Sequence, residues 1–263
     1  MNGKKAGIFA ISMVVGMIIF ISLSWYSFSI TNKNLNLGIS KAISANYQNT
    51  RDKIYFYTLE SSKLAASQAF YEVAKESAVD KEKTLCTVIE NKLIWNQNCK
   101  PEQKFVENKF LEKYNDSFIG FLKNYPEKQL EDSEYIYLIE EDELFSTTSE
   151  KTLTTIETTP VATYTMNYMF DSSLKINLFD EGIYLEDFES IYKQANSAIT
   201  ACKDSKNMVV CVKNRINLGR WVVEVEKEGS YLIFKCKTKK YFFFNESGEK
   251  FEQIGLDFAM SIF

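Results

Sequence analysis

From Ala6 to Ile30 no residue carries a charge, and Lys4 and Lys5 are the only charged side chains ahead of that run. At about 1.5 Å rise per residue, some 20 apolar residues span the ~30 Å hydrocarbon core of a bilayer, and residues 7–23 (GIFAISMVVGMIIFISL) with their flank are long enough. The first element is therefore expected to be a transmembrane helix. The two lysines predict a cytoplasmic N-terminus and an extracytoplasmic bulk, because short basic flanks stay inside. Trp25 and Tyr26 fall where an outer interfacial aromatic belt lies. Ser22-Leu-Ser24 and Ser27-Phe-Ser29 offer small-x-small cleavage sites. The run is nonetheless longer than the ~7–15-residue core of a secretory signal, which favours an uncleaved anchor.

Beyond the anchor there is material for a core. The chain has 263 residues, of which 20 are Phe and 15 Tyr, so it is no disordered tail. Its net charge of −4 and the lack of any Lys/Arg block after the anchor argue against a nucleic-acid partner, which needs a clustered cationic surface. Histidine is absent, which removes Ser-His-Asp and Cys-His catalysis and His-ligated zinc. The ten glycines form neither a G-x-G-x-x-G nor a G-x-x-x-x-G-K-[ST] array, so neither phosphate cradle is available. No cofactor and no metal ligand set is expected.

Five cysteines follow the anchor, and none makes a C-x-x-C. In an extracytoplasmic domain the economical reading is two local disulfides, Cys86–Cys99 and Cys202–Cys211, with Cys236 left over and open to alkylation. Connectivity stays open at this level, since Cys236 can replace any of the four.

Lys4-Lys5-Ala6-Gly7 directly before an apolar helix resembles the leader of archaeal type IV (class III) prepilins. The resemblance covers about the first thirty residues. It implies cleavage after Ala6 and a retained helix that packs in a filament core. Gly7 stands where archaeal pilins commonly carry Gln, and Ile11 where bacterial pilins carry Glu. In layout the whole chain is similar to N-terminally anchored surface proteins of small-genome archaea, a resemblance that carries over no activity.

The exposed chain reads as α+β. Positions Ile43, Tyr47, Thr50, Ile54, Tyr57, Ser61, Leu64, Gln68 and Tyr71 recur at helical spacing from Ile39 to Val79, with a second line through Leu59, Ala66, Phe70 and Val73. The segment from Cys86 to Cys99 turns the chain. Pro101 and Glu102 then open a helix with Leu111, Tyr114, Phe118, Phe121 and Leu122 on one face, completing an antiparallel α-hairpin. A strand over 135–139, a turn at 140–143 and a return strand follow, then Ser/Thr-rich edge strands. Residues 163–170 and 174–178 predict a hairpin. Glu186-Asp187 starts a helix that ends near Cys202, and a β-meander over 220–263 closes the chain, with a basic turn at 237–240. These readings divide the chain into an anchor (1–30), a helical stalk and α-hairpin (31–130) and an α+β region (131–263), the last with strands over 134–180, a helix over 184–202 and the meander.

Candidate chemistry is sparse. Glu131-Asp132, Glu140–Glu143, Asp180-Glu181 and Glu186-Asp187 fall at turns and helix starts, where solvation and the helix dipole account for them. Ser-x-x-Lys spacings begin at Ser172, Ser190 and Ser247, without the partner motifs of Ser-Lys enzymes. Lys237–Phe244 sets a basic stretch against four aromatics, as a strand buried on both faces after a solvated turn would. Asn115 and Asn245 match the glycosylation sequon.

The expectation is a single-pass membrane protein with an extracytoplasmic domain that does binding or structural work at the cell surface, and not an enzyme. A pilin-like filament subunit is the sharper variant, and a membrane-anchored hydrolase is the reading from a different class. The expected partners are membrane lipid through residues 6–30, and a second copy or another surface protein.

Overall fold

The structure is a computed structural model that describes residues 3–80, 86–89, 91–124, 135–148, 151–158, 163–170, 173–244 and 250–262. Side chains are described for these except 3–16, 18, 31–40, 42, 43, 46, 148, 151–158, 163–170, 243, 244 and 250. In chain order the elements are α1 (Gly3–Lys75), β1 (Val88–Ile89), β2 (Lys92–Ile94), α2 (Gln103–Lys123), β3 (Tyr135–Glu140), β4 (Glu143–Thr148), β5 (Lys151–Thr158), β6 (Thr163–Phe170), β7 (Ser173–Asn177), α3 (Asp187–Cys202), α4 (Met208–Arg215), β8 (Trp221–Glu228), β9 (Tyr231–Phe244) and β10 (Lys250–Ser261). The protein is α+β, as its periodicities predict. It divides into two compact units, Met1–Ile54 with Thr154–Tyr168, and Tyr55–Leu153 with Met169–Phe263.

The first unit holds the N-terminal part of α1 and most of the paired strands β5 and β6. Along α1 the side chains from Ile19 to Phe28 are exposed at every position, including Phe20 at 72% and Trp25 at 75%. Among the described residues no helix is long and apolar enough to cross a membrane. Most of the apolar run 7–23 falls on residues whose side chains lie outside the description.

In the second unit α1 buries a face of small residues. Ser61, Ser62, Ala65, Ala66 and Ala69 are buried, followed by Phe70, Val73 and Ala74. Of the first sequence line Ile54 and Ser61 are buried while Tyr57, Leu64, Gln68 and Tyr71 are half-buried; the second line is better buried, through Ala66, Phe70 and Val73. The two helices are antiparallel. Tyr57 Oη donates to the Phe121 carbonyl (2.7 Å), Ser62 Oγ meets Tyr114 Oη, and Lys113 pairs with Glu72 (3.5 Å) and Glu76 (3.1 Å). The buried stripe of α2, Val106, Phe110, Tyr114, Phe118 and Leu122, keeps a strict spacing of four.

Beyond α2 lies a three-stranded antiparallel sheet in the order β3-β4-β7. Here the predicted hairpin of 163–170 with 174–178 is corrected. Both strands exist, but β6 pairs with β5, and β7 pairs with β4. The reason is burial. Leu174 and Ile176 of β7 stand opposite Ser146 and Leu144 of β4, and all four are buried on one face.

The second sheet has five strands in the order β1-β2-β10-β9-β8. Its β8-β9-β10 part is the antiparallel meander expected over 220–263, and β2 adds to the far side of β10 in parallel. On β10 the residues Ile254, Leu256, Phe258 and Met260 face the core while Gly255, Asp257 and Ser261 are exposed, the alternation legible in the sequence. Trp95 stacks on Phe258 (3.7 Å) and meets Tyr192 of α3 (6.2 Å). Phe70 of α1 packs on Phe188 of α3, Trp221 of β8 and Phe242 of β9. Each such fully buried side chain contributes roughly 1.5–3 kcal/mol by removal from water. The helix α4 is absent from the sequence reading. Its start is marked by Asn207, whose Oδ1 accepts from the Val210 amide (3.2 Å) as an N-cap does.

Candidate functional site

Two loops and a strand of the second unit line a cleft of about 360 Å³. The β7–α3 loop supplies Phe179, Asp180, Gly182 and Tyr184, the turn before β8 supplies Gly219 and Arg220, and β9 supplies Thr238, Lys239 and Lys240. Phe70, Trp221 and Asp187, all buried, complete its lining.

The lysines reach the cleft because β9 is irregular. Its register with β10 steps from Lys237↔Gly255 to Tyr241↔Gln253, so Thr238, Lys239 and Lys240 stand opposite Ile254 alone. This β-bulge replaces the predicted basic turn at 237–240, and the strand runs unbroken through it. Thr238 holds the bulge shut: its Oγ1 accepts from the Ile254 amide (2.9 Å) and donates to the Lys240 carbonyl (2.8 Å). A regular strand sends neighbouring side chains to opposite faces, whereas both lysines here line one cleft. Lys239 Nζ donates to the Gly219 carbonyl (2.7 Å), and Lys240 Nζ to the Asp180 carbonyl (3.3 Å). The Lys240 stem lies so close to Gly182 that a Cβ there would sit 2.4 Å from Cδ, and Gly182 also has a positive φ of 75°. Glycine is required at that position on both counts.

Arg220 is the second feature. Its guanidinium clamps the Asp187 carboxylate through Nε (3.1 Å) and Nη2, and Nη2 also reaches Glu186 Oε1 (3.1 Å). Trp221 Nε1 donates to the same Asp187 carboxylate (2.7 Å). The guanidinium carbon lies 3.6 Å from the centre of the Tyr184 ring, which also stacks with Phe179 (4.8 Å). The hydrogen bond to Asp187, ahead of the attraction of the two carboxylates, raises the Arg220 pKa above its ordinary value. Glu186 is raised as well, because burial outweighs the arginine's pull. Solvation and the helix dipole therefore do not account for Asp187, contrary to the sequence reading. It is buried and bonded on both oxygens.

The other sequence candidates are scattered. Cys86 bonds Cys99 and Cys202 bonds Cys211, at Cα separations of 5.4 and 5.8 Å. Cys236 is unbonded and buried, and burial pushes its thiol up to about 12, so it is not the accessible thiol expected. Asn115 lies within α2 and is half-buried, not on an exposed loop. Asn245, Ser172, Ser247, Glu131 and Asp132 lie outside the described residues. Ser190 and Lys193 share α3, but the lysine pairs with Glu189 (2.8 Å) and the serine accepts from Gln194 (3.4 Å). Among the described residues no group of His, Cys, Asp and Glu is placed to hold a metal ion. Cleft residues Arg220, Tyr184 and Phe179 carry no motif and were missed, while Lys239 lay in the basic stretch beside aromatics at 237–244.

A search of protein families, of curated proteins and of solved structures returns no match to the chain.

Proposed function

We propose that the chain is a membrane-anchored protein of the cell surface, with residues 6–30 in the bilayer and the remainder outside, where it does binding or structural work. The observation that carries this reading is the exposed helix. Ile19, Phe20, Ile21, Leu23, Trp25, Tyr26 and Phe28 are all more than half exposed on α1, and no residue from Ala6 to Ile30 is charged. A helix that is apolar all round needs apolar surroundings. The two disulfides agree with an oxidising compartment for the domain that follows.

A filament subunit is the second reading, favoured by one observation: α1 runs without interruption from the apolar segment into the core of the second unit. In a filament, copies of that segment would cover one another. Protease treatment of intact cells is expected to remove the chain beyond about residue 31, and full protection would overturn the topology. N-terminal sequencing separates the variants. Met1 or Asn2 marks the anchor, Gly7 the filament subunit, and Trp25 or Ile30 a secreted form. The intact N-terminus is expected, because Gly7 and Ile11 replace the residues that mark pilin leaders.

A further inference from the structure

We propose that the cleft between the β7–α3 loop and the β9 bulge binds an acidic sugar, a hexuronate ring whose carboxylate meets Lys239 and Lys240. The argument begins with which charges are already neutralised. Arg220 is held by Asp187 and Glu186, so its fork is occupied. Among the described contacts Lys239 and Lys240 are hydrogen-bonded only to backbone carbonyls, and Lys240 Nζ also lies 5.7 Å from the centre of the Phe242 ring. An ammonium has three donors, and each lysine here spends one on a neutral acceptor, which leaves donors and charge for an anion.

The carbonyl bonds also tie each lysine head to a loop of the lining, Lys239 to Gly219 and Lys240 to Asp180. Holding them there in advance lowers the entropy cost of binding. An ammonium pairs with a carboxylate or a phosphate alike as a point charge, so the choice of a uronate rests on the remaining lining.

The sugar assignment rests on the rest of the lining. Phe179 is 39% exposed and stacks on Tyr184, an apolar platform beside the lysines. Asp180 is an exposed carboxylate on the same rim, an acceptor for ring hydroxyls. Aromatic faces with a few convergent polar groups are the usual make-up of a small-molecule site, and a volume near 360 Å³ holds one ring rather than a chain of them. Sugars of this kind are found in cell-surface polysaccharides, so the inference deepens the surface-binding reading and rests on it for the source of the ligand.

The test is a titration of the full chain in detergent micelles with methyl glucuronide, read by saturation-transfer NMR. The result expected is binding that weakens at least tenfold in the Lys239→Gln/Lys240→Gln double variant and several-fold in Phe179→Ala. The neutral methyl glucoside is expected to bind at least tenfold more weakly, and added salt to weaken the glucuronide. Phe179→Ala keeps the test sound if the double variant unfolds, since its ring is partly exposed and outside the bulge. No binding, equal binding of the glucoside, or unchanged binding in Phe179→Ala would overturn the proposal. Displacement by inorganic phosphate at equal concentration would overturn it too, by showing an oxyanion site without sugar selectivity. The titration is blind to membrane topology, so its failure and that of the anchor reading are separable.

Discussion

Tyr114 is a fully buried polar position in the core. Its hydroxyl lies between Ser62 Oγ and Ser146 Oγ (3.0 Å), which ties α2 to α1 and to β4 at one point. Burial pushes its pKa up to about 12, and the two serine hydrogen bonds offset only part of that. Tyr137, whose ring meets Tyr114 edge-on at 5.1 Å, is raised further by the same cause and has a buried hydroxyl with no partner among the described residues. A raised folded pKa means that the unfolded chain releases the proton first. The stability this contributes is whole below the unfolded value of 10.0 and is lost as pH climbs through the folded value. In an alkaline titration followed at 295 nm and by circular dichroism, these two tyrosines are expected to ionise only as helical signal is lost. Complete ionisation below about pH 11 with the fold intact would contradict the burial.

At the scale of the element, the β9 bulge decides what the cleft contains, and one hydroxyl holds it. Thr238 is buried and bonds on both sides of the irregularity, to the Ile254 amide and the Lys240 carbonyl. Thr238→Val keeps the shape and β-branching but strands both groups. The expected cost is about 1–3 kcal/mol, because an unpaired buried amide loses its water without replacement. A urea titration measures it, and an unchanged midpoint would show that the bulge is held by the strand pairing alone. The same scale explains the α1–α2 contact. Of the two lines marked on α1, the second is the better buried: Ala66, Phe70 and Val73 are fully buried beside Ala65 and Ala69, while Tyr57, Leu64 and Tyr71 of the first are half-buried. Volume complementarity, not hydrophobicity at a single position, chooses the face.

For the whole molecule, the disulfides reinforce two short segments: Cys86–Cys99 around the β1–β2 pair and Cys202–Cys211 between α3 and α4. Sequence separations of 13 and 9 residues make each worth about 3 kcal/mol by chain entropy. Non-reducing mass spectrometry is expected to link Cys86 to Cys99 and Cys202 to Cys211, while Cys236 resists alkylation until the protein unfolds. Reduction should lower the thermal midpoint by several degrees. A native Cys236 that reacts promptly, or a bond joining the two halves of the chain, would contradict this arrangement.

The amino-acid sequence by itself determined the features that depend on near neighbours. The charge-free run, the helix from Asp187 to Cys202, the alternation along β10 and the pairing of cysteines close in sequence follow from local geometry and were legible, whereas on α2 the reading marked Leu111 and Phe121, which are half-buried, and passed over the buried Val106 and Phe110. Only the tertiary structure decided what joins distant segments. It paired β7 with β4 rather than β6, placed β2 parallel to β10, and drew Arg220 to Asp187 across 33 positions. A strand's partner is chosen by which buried face it completes, and the cleft lysines share a wall only because of a bulge set by that pairing. Neither condition is written within the reach of a helical turn or a strand repeat.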